Sequence, residues 1–388
     1  MKYYNHWLLV FVVLFFFTMS FSVGSSAQII DLTQDYPISL CDYTAPETVY
    51  RELGLKLNYH FYDDPNLSDE GDINKGGAFG NYSYIYSRPD YSLNLDSNAS
   101  FSLSKGELTY DASGSGSYNA YLTEDDLFAF GGLGVNLSSD FSQVIGLRVI
   151  TGTGWGRFKN VTPMVKSALI SRMLLEREII SENLSQYVVG QIAEEIGQLS
   201  PETKTGVGLE AVIDEIVSII EANASLQVKD LGPIEVLRIR EIVENGIAQR
   251  LCGWEVRGGL GYEALDPVGG ARDFLVDAAA RYARPFTPYS QLSLEVNFNS
   301  TFEFTEDYTL RGFANYTYRF DDNVDTDFRY SFLYQGGEET FYHQNFSATA
   351  EVGLREDLST SVTLSLSDNK YYEEMVKEIT LGLSYKLL

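Results

Sequence analysis

Apolar and polar residues alternate along much of this chain. Near its end Ile379, Leu381 and Leu383 alternate with threonine, glycine and serine, and the same alternation recurs over 53–61 and 292–298. Successive side chains of a β-strand point to opposite faces, so a period of two gives each segment one apolar and one polar face. The pattern predicts a chain built mainly of β-strands.

Turn-forming residues divide the alternating segments into about six strands before residue 159 and about eight after residue 251. Many of them run for roughly 11 to 15 residues, whereas strands of soluble proteins usually have ~5–6. A tilted strand needs ~9–11 residues to cross a membrane, where its apolar face contacts lipid and its polar face lines the lumen. We therefore predict an all-β fold, an antiparallel transmembrane β-barrel of about 14 strands. A secreted β-sandwich or a large soluble barrel is the alternative.

Residues 159–251 interrupt the strands with a helical pattern. The strongest stripe consists of apolar residues mostly three or four positions apart: Leu209, Val212, Ile213, Ile216, Ile219 and Ile220. This spacing places them on one face of a helix. Thr162 followed by Pro163 is typical of an N-cap and the first helical residue, and Gly232 precedes a fourth helix whose apolar residues extend to Leu251. Four amphipathic helices would form a small bundle with its own core.

The start of the chain predicts a secretory signal peptide. Lys2 is the only charged residue before Asp31, and residues 8–17 are wholly apolar. An uncleaved anchor helix is the alternative, but the apolar run is short for the ~20 residues of a membrane span. The predicted organisation is a signal peptide at 1–27, a periplasmic lead-in at 28–50, barrel strands at 51–158, an inserted helical domain at 159–251 and barrel strands at 252–388.

The alternation, the strand length and the signal peptide together resemble bacterial outer-membrane β-barrel proteins of a porin-like, poorly characterised group. Members of this family end in a strand that closes on an aromatic residue, whereas Leu387 and Leu388 come last here. The segment at 154–157, Gly-Trp-Gly-Arg, leads into Val161 and is similar to a strand exit in that group. The resemblance implies an outer-membrane location and a barrel fold, and it implies no activity.

Charged residues in the strands fall mainly on the polar face, which a barrel turns to its lumen. Phasing each strand by its apolar face gives these pore-lining candidates: Lys56, Arg148, Glu255, Arg257, Glu263, Asp277, Arg281, Glu295, Arg311, Arg319, Arg329 and Glu351. Charges placed there avoid the ~2–4 kcal/mol cost of Lys or Arg at the lipid-facing midplane. Such a set fits a water-filled pore, and it also fits a closed barrel whose interior is filled by ion pairs.

An even number of strands puts both ends of the barrel on one side of the membrane, as in bacterial barrels. With those ends in the periplasm, the helical insertion also falls on the periplasmic side. The acidic loop at 63–72 would then lie outside the cell, where divalent cations are possible partners.

The net charge of the chain at pH 7 is −26. A chain this acidic does not neutralise phosphates, which argues against a nucleic-acid partner. Aromatic residues make up 14% of the chain, and many lie at predicted strand ends, as the girdles of a membrane barrel require. Aromatic cross-strand pairs of a soluble sheet would supply part of this signal. The expected partner is outer-membrane lipid.

Cys41 and Cys252 are the two cysteines of the chain. Both would lie near the periplasmic mouth, in a compartment that permits disulfides. A bond between them is possible, and their spacing in the sequence does not decide it. Neither cysteine is predicted to be catalytic.

No segment predicts a catalytic centre, a cofactor site or a metal site. His343 and Ser347 would lie ~13 Å apart along one strand, too far for a nucleophile and its base. Asp321, Asn323, Asp325 and Asp327 alternate in a way that would present oxygens to calcium. The glycine of the helix–loop–helix calcium motif is missing, however, and a solvated turn is the favoured alternative. We therefore expect no enzyme activity, no cofactor and no bound metal.

Two functions fit this sequence. The first is a passive channel for small hydrophilic solutes, with a periplasmic helical module that narrows or gates it. The second is a closed structural or assembly barrel whose helices dock a periplasmic protein partner in the envelope. An open lumen separates the two, because both share the membrane location.

Overall fold

A computed structural model of the chain describes residues 38–43, 48–62, 73–104, 107–122, 126–139, 145–199, 207–223, 231–244, 249–265, 273–302, 308–321, 324–336, 340–354, 358–371 and 375–386. The predicted signal peptide at 1–27, much of the lead-in and the acidic loop at 63–72 lie outside these residues.

The chain forms strands of 11 to 16 residues, six before a helical region and eight after it. They are β1 (Thr48–Tyr62), β2 (Ile73–Ser87), β3 (Tyr91–Ser104), β4 (Glu107–Tyr121), β5 (Leu127–Ser138), β6 (Ile145–Asn160), β7 (Leu251–Leu265), β8 (Phe274–Thr287), β9 (Ser290–Thr301), β10 (Tyr308–Asp321), β11 (Val324–Gly336), β12 (Phe341–Gly353), β13 (Leu358–Asn369) and β14 (Val376–Lys386).

Each strand pairs antiparallel with its neighbour in sequence, and β14 pairs with β1 to close the sheet. This closure sets Gly54 opposite Lys386 and Leu55 opposite Tyr385. A closed barrel leaves no strand edge with unpaired backbone groups. The predicted all-β fold, an antiparallel barrel of about 14 strands with inserted helices, is confirmed.

The outer face of the barrel is apolar. Directly paired residues share a face of a sheet, so the register assigns every strand position to one side of the wall. On the outer side Leu381 is 77% exposed, Leu133 57% and Leu260 55%. Among the described strand residues, the charged ones of outer-face parity lie near strand ends: Arg51, Arg157, Lys159, Arg284 and Asp321 at one end, Asp368 and Lys377 at the other. A band without charge runs between them.

Aromatic side chains border this band at both ends. Trp155 contacts Trp254 at one end, with ring centroids 5.8 Å apart, and Tyr308 contacts Tyr334 at the other end, with centroids 6.1 Å apart. On β10 the distance from Tyr308 to Tyr318 corresponds to about 33 Å of strand at ~3.3 Å per residue. At a tilt of ~40° this is roughly 25 Å of height, which matches the apolar band of outer-membrane barrels.

Between β6 and β7 the chain forms four helices: α1 (Thr162–Glu176), α2 (Gln186–Gly197), α3 (Val207–Asn223) and α4 (Pro233–Glu244). Two details of the prediction are wrong. Thr162 is the first helical residue and Val161 the cap, because the Thr162 hydroxyl accepts a bond from the Arg250 N–H (2.9 Å). Leu251 begins β7 instead of continuing the fourth helix, because its N–H donates to the Gln291 side chain (2.7 Å).

The four helices, called here the helical module, pack mainly against one another. Ile213, Ile216 and Ile220 of the predicted α3 stripe are at most 1% exposed, and so are Ile170 of α1 and Ile192 of α2. Burial of one such side chain contributes ~1.5–3 kcal/mol, so the helical module has a core of its own. Within the described part of the chain, no helix has both the length and the apolar character of a membrane span.

Candidate channel lumen

The inner face of the barrel carries the strand charges. The register places on it all of the predicted pore-lining positions: Lys56, Arg148, Glu255, Arg257, Glu263, Asp277, Arg281, Glu295, Arg311, Arg319, Arg329 and Glu351. For Lys56 the register gives the position of the backbone, and the side chain is not described. Charges on one closed face are brought together in space, and some of them neutralise one another.

Ion pairs occupy the wall formed by β6, β7 and β8. Arg148 contacts Asp277 at 3.1 Å and lies directly opposite Glu263, while Arg281 contacts Glu255 at 3.1 Å. The Glu255 side chain is only 3% exposed. Removing one partner of a buried pair leaves an uncompensated charge, at a cost of ~3–5 kcal/mol. The Glu255–Arg281 pair is therefore a fixed part of the wall.

A second ion pair lies near the module end of β10 and β11. Arg319 donates through Nε and Nη2 to the two carboxylate oxygens of Asp325, at 2.8 and 3.0 Å. This two-point geometry is the strongest that arginine offers to a carboxylate. Glu351 lies opposite Asp325 in the register. Further along the wall, Glu295 accepts a hydrogen bond from the Asn297 amide (2.7 Å).

Three inner-face arginines have no ion pair among the described residues: Arg257 on β7, Arg311 on β10 and Arg329 on β11. Five inner-face carboxylates with described side chains were not among the predicted pore-lining residues: Asp96 on β3, Glu107 and Asp111 on β4, Asp327 on β11 and Glu378 on β14. Their strands carry many small polar residues, or place the charge near a strand end, so the alternation that phases the other strands is weak there. On β6 to β11 the inner face carries six arginines and, with Asp327, six carboxylates.

The width of the barrel follows from its strand number. With ~4.8 Å between strands and a tilt of ~40°, fourteen strands enclose a backbone cylinder roughly 28 Å across. At ~1.5 Å per bond, two facing side chains do not span that distance. Eight-stranded barrels are filled by side chains, whereas barrels of 16–18 strands hold an aqueous channel. Fourteen strands fall near the second group.

The helical module joins the barrel through a short neck, residues 160–162 and 249–251. The Val161 N–H donates to the Arg250 carbonyl (2.8 Å), which extends the β6–β7 pairing into the neck. The Arg250 side chain is 3% exposed and crosses to other strands, donating to the Thr317 hydroxyl (3.2 Å) and to the Tyr289 carbonyl (3.4 Å). Burial, and then the nearby Arg319, lower the pKa of Arg250 to about 10, so it stays charged at neutral pH. Arg250 therefore fastens the neck to the β8–β9 turn and to β10, on the same side of the mouth.

The segment at 38–43 forms a further link between the module and the barrel. Ser39 and Gln186 of α2 exchange two hydrogen bonds (3.0 and 3.2 Å), and the Tyr43 hydroxyl donates to the Ala193 carbonyl (3.0 Å). Burial, and then Glu194, raise the pKa of Tyr43. A disulfide joins Cys41 to Cys252 of β7, so the segment is tied covalently to the barrel wall and by hydrogen bonds to α2.

The residues considered for enzyme or metal chemistry have other neighbours. His343 lies on the lumen face, opposite Leu333 and Asn369. Asp325, considered for calcium, is held by Arg319. Within the described ranges, no three histidine, cysteine, aspartate or glutamate side chains are grouped as metal ligands.

No family model and no curated protein matches the sequence. Among solved structures, the chain is similar to OccK2 (OpdF) of Pseudomonas aeruginosa in complex with glucuronate, with a TM-score of 0.34, 9% identity, and coverage of 88% of this chain and 97% of that one. It is also similar to a BenF-like porin from Pseudomonas fluorescens Pf-5, with a TM-score of 0.33, 8% identity, and coverage of 88% of this chain and 98% of that one. For the CymD monoaromatic hydrocarbon channel the TM-score is 0.28 and the identity 11%, with coverage of 94% of this chain and 92% of that one. These scores are low, and the barrel assignment rests on the strand pairing alone.

Proposed function

We propose that this chain is an outer-membrane β-barrel that acts as a passive channel for small hydrophilic solutes, with the helical module narrowing or gating one mouth. The observation that carries the proposal is the partition of charge across the wall. Among the described strand residues, charges away from the strand ends fall on the inner face, while the outer face is uncharged and mostly apolar over its middle band.

This partition supports a membrane location. An exposed apolar surface that surrounds a protein is unfavourable in water, whereas lipid favours it and penalises charge at the midplane by ~2–4 kcal/mol. The aromatic borders near Trp254 and Tyr308 support the same location, since tyrosine and tryptophan concentrate at both membrane interfaces.

The lumen supports passage of polar solutes. Its wall carries charged and small polar side chains, and its width exceeds what facing side chains fill. Ion pairs such as Arg148–Asp277 hold part of this charge against the wall, which leaves the centre of the lumen to water. Such passage requires no catalytic group, so the proposed function is not that of an enzyme.

The neck supports a narrowing or gating role for the helical module. The module leaves and re-enters the barrel at one place, and Arg250 then ties that place to the β8–β9 turn and β10. Arg172 of α1 lies 5.3 Å from the centroid of the Tyr289 ring, on the same turn. These contacts, together with the segment at 38–43, support a module that lies over part of one mouth, so that loosening them should widen the opening.

The test is single-channel conductance of the refolded chain in planar bilayers, compared between wild type and Arg250→Gln. We expect steady conductance from the wild type and a larger or more frequently open current from the variant. Arg240→Gln is the matched control, because the ion pairs of Arg240 are with Glu210 and Glu244, which belong to the module and not to the neck.

Folding is checked for each protein by its heat-dependent mobility in gels. Silence from folded wild type and folded Arg250→Gln would contradict the channel and favour a closed barrel whose helices dock a partner. Conductance that is the same in all three proteins would retain the channel and contradict the gating role.

A further inference from the structure

A pocket of about 210 Å³ lies on the outer face of the barrel, at the end that carries the helical module. Its side chains come mainly from outer-face positions of β6 and β7, among them Trp155, Lys159 and Trp254. Gly156 and Gly253 contribute backbone alone, and a Cβ atom at either would overlap a carbonyl oxygen of the facing strand. The recess is therefore shaped by the strands themselves.

The charges at this pocket leave one cation without a partner. Arg157 contacts Asp126 at 2.9 Å and donates to the Pro89 carbonyl (2.9 Å), so its charge is compensated. Lys159 has no ion pair among the described residues, and neither Asp126 nor Asp42 of the neighbouring segment lies within ion-pair distance of it. An ammonium group has three donors and no acceptor, so it must be solvated here by water or by an anion.

The position of Lys159 relative to the aromatic border fits the headgroup layer of a membrane. Trp155 and Trp254 border the uncharged band, and Lys159 follows Trp155 by four residues toward the module end. At ~3.3 Å per residue and a tilt of ~40°, this is roughly 10 Å along the membrane normal. The headgroup region extends about 5–8 Å beyond the hydrocarbon on each side, and a lysine side chain bends its ammonium toward that region. In a membrane that spans the uncharged band, Lys159 would lie among the phosphates of one leaflet.

The outer rim at the module end is cationic beyond the pocket. Arg284 on β8 is exposed on the outer face without an ion pair among the described residues, and only β7 separates its strand from that of Lys159. Arg51 on β1 adds a third such cation on another part of the rim. Against these three, the register places one acidic residue, Asp321, at outer-face parity near this end. At the other end, one acidic and one basic residue of the described outer face cancel. Anionic groups are therefore favoured at the module end.

We propose that this pocket binds the phosphate of a phospholipid headgroup, with Lys159 as its cationic contact and the two tryptophan rings against the glycerol and the upper acyl chains. The inference rests on the proposed membrane location and adds a ligand that the passage of solutes does not require. A lysine ammonium binds phosphate as a point charge. The Cys41–Cys252 disulfide also lines the pocket, so a bound lipid would contact the segment that holds α2.

The apolar part of the lining favours a phospholipid over free phosphate. Trp155 is 57% exposed and Trp254 46% exposed, and acyl chains would remove these rings from water. An indole ring has an apolar body and one N–H donor, which suits the boundary between acyl chains and headgroups. Inorganic phosphate would meet one uncompensated cation and would leave both rings exposed.

Tryptophan fluorescence reports on this pocket directly, because the chain has three tryptophans, the pocket pair and Trp7 of the predicted signal peptide. The full chain is refolded into dodecyl maltoside micelles with Trp7→Phe in every protein, and dioctanoyl phosphatidylglycerol is the probe. We expect a saturable fluorescence change. Lys159→Gln should weaken the apparent affinity about fivefold, since one basic residue at an anionic membrane surface contributes about that much. Lys377→Gln is the matched control and should keep the affinity, because Lys377 is exposed on the outer face at the other end.

Two further probes separate the parts of the ligand: dioctanoylglycerol, which lacks the phosphate, and inorganic phosphate, which lacks the chains. Neither should give a saturable change. Saturation by inorganic phosphate, an equal response to dioctanoylglycerol, or equal affinities of Lys159→Gln and Lys377→Gln would overturn the headgroup site. Insertion of the same proteins into vesicles is checked by heat-dependent gel mobility. Inserted protein without a saturable response would overturn the site and retain the membrane location, whereas a folded chain that stays soluble without detergent would contradict both.

Discussion

Cys41 and Cys252 are separated by 211 residues and joined by a disulfide. Cys41 belongs to the segment that bonds to α2 through Ser39 and Tyr43, and Cys252 lies on β7. The bond therefore links the part of the chain before β1 to the strand that follows the helical module. It fixes the segment at the place where the module meets the barrel.

Replacing both cysteines by serine should loosen α2 while leaving the barrel strands intact. Without the bond, the segment at 38–43 is held by hydrogen bonds worth ~0.5–1.5 kcal/mol each, so it should detach more often. Hydrogen exchange should show lower protection of α2 amides near Ala193 and unchanged protection in β9 to β13. Equal loss of protection in both regions would mean that the disulfide stabilises the whole barrel and does not act locally.

Alkaline pH should weaken the same contact through Tyr43. Its folded pKa lies above the ordinary value of about 10, because burial and Glu194 disfavour the phenolate. The unfolded chain therefore loses this proton first as the pH rises, so the stabilisation is fully present below pH 10 and is lost above it. The midpoint temperature for thermal unfolding of the helices, followed by circular dichroism, should fall more steeply with pH above this value in wild type than in Tyr43→Phe.

At neutral pH Tyr43→Phe should be less stable than wild type by ~1 kcal/mol, because the bond to the Ala193 carbonyl is lost. Tyr187→Phe is the matched control, since Tyr187 is 70% exposed on α2. If the control reproduced the reduced pH dependence of Tyr43→Phe, the effect would not come from the buried hydroxyl.

Gly253 should tolerate no side chain. Its φ is +132°, and a Cβ atom there would overlap the Arg157 carbonyl oxygen on β6. Gly253→Ala should lower the free energy of unfolding by ~1–3 kcal/mol, measured from the urea midpoint in detergent. Gly258→Ala on the same strand meets no atom within 4 Å and should not be destabilising. Equal midpoints for the two variants would rule out this strain.

The sequence was sufficient to predict the barrel, because alternation over long segments such as β14 and β9 specifies a strand and its two faces together. It also specified which charges face inward, including Arg311 and Glu295, since parity on a strand is a local property. The helix pattern predicted α3 for a similar reason, its apolar spacing being that of one helix face.

Contacts that depend on barrel closure could not be predicted in this way. Arg250 reaches Thr317 across 67 residues of sequence, and nothing local to either residue indicates the other. On β5 both faces carry apolar residues, because Phe128 and Phe130 point inward beside outward Leu133. Alternation then fails to identify the lumen side of β5. The contact of Arg257 with the Phe130 ring, 5.3 Å from its centroid, is therefore missed.

Leu381 offers the sharpest test of the membrane location. Its side chain is 77% exposed in the middle of β14, on the apolar outer face. If that face contacts lipid, Leu381→Arg should destabilise the protein folded in vesicles, lowering its free energy of unfolding by ~2–4 kcal/mol. Thr380→Arg is the control, because Thr380 lies on the same strand and belongs to the inner face. It should cost less, since its charge would enter water in the lumen. A Leu381→Arg protein that folds as well as Thr380→Arg, and stays soluble without detergent, would identify the barrel as a soluble one.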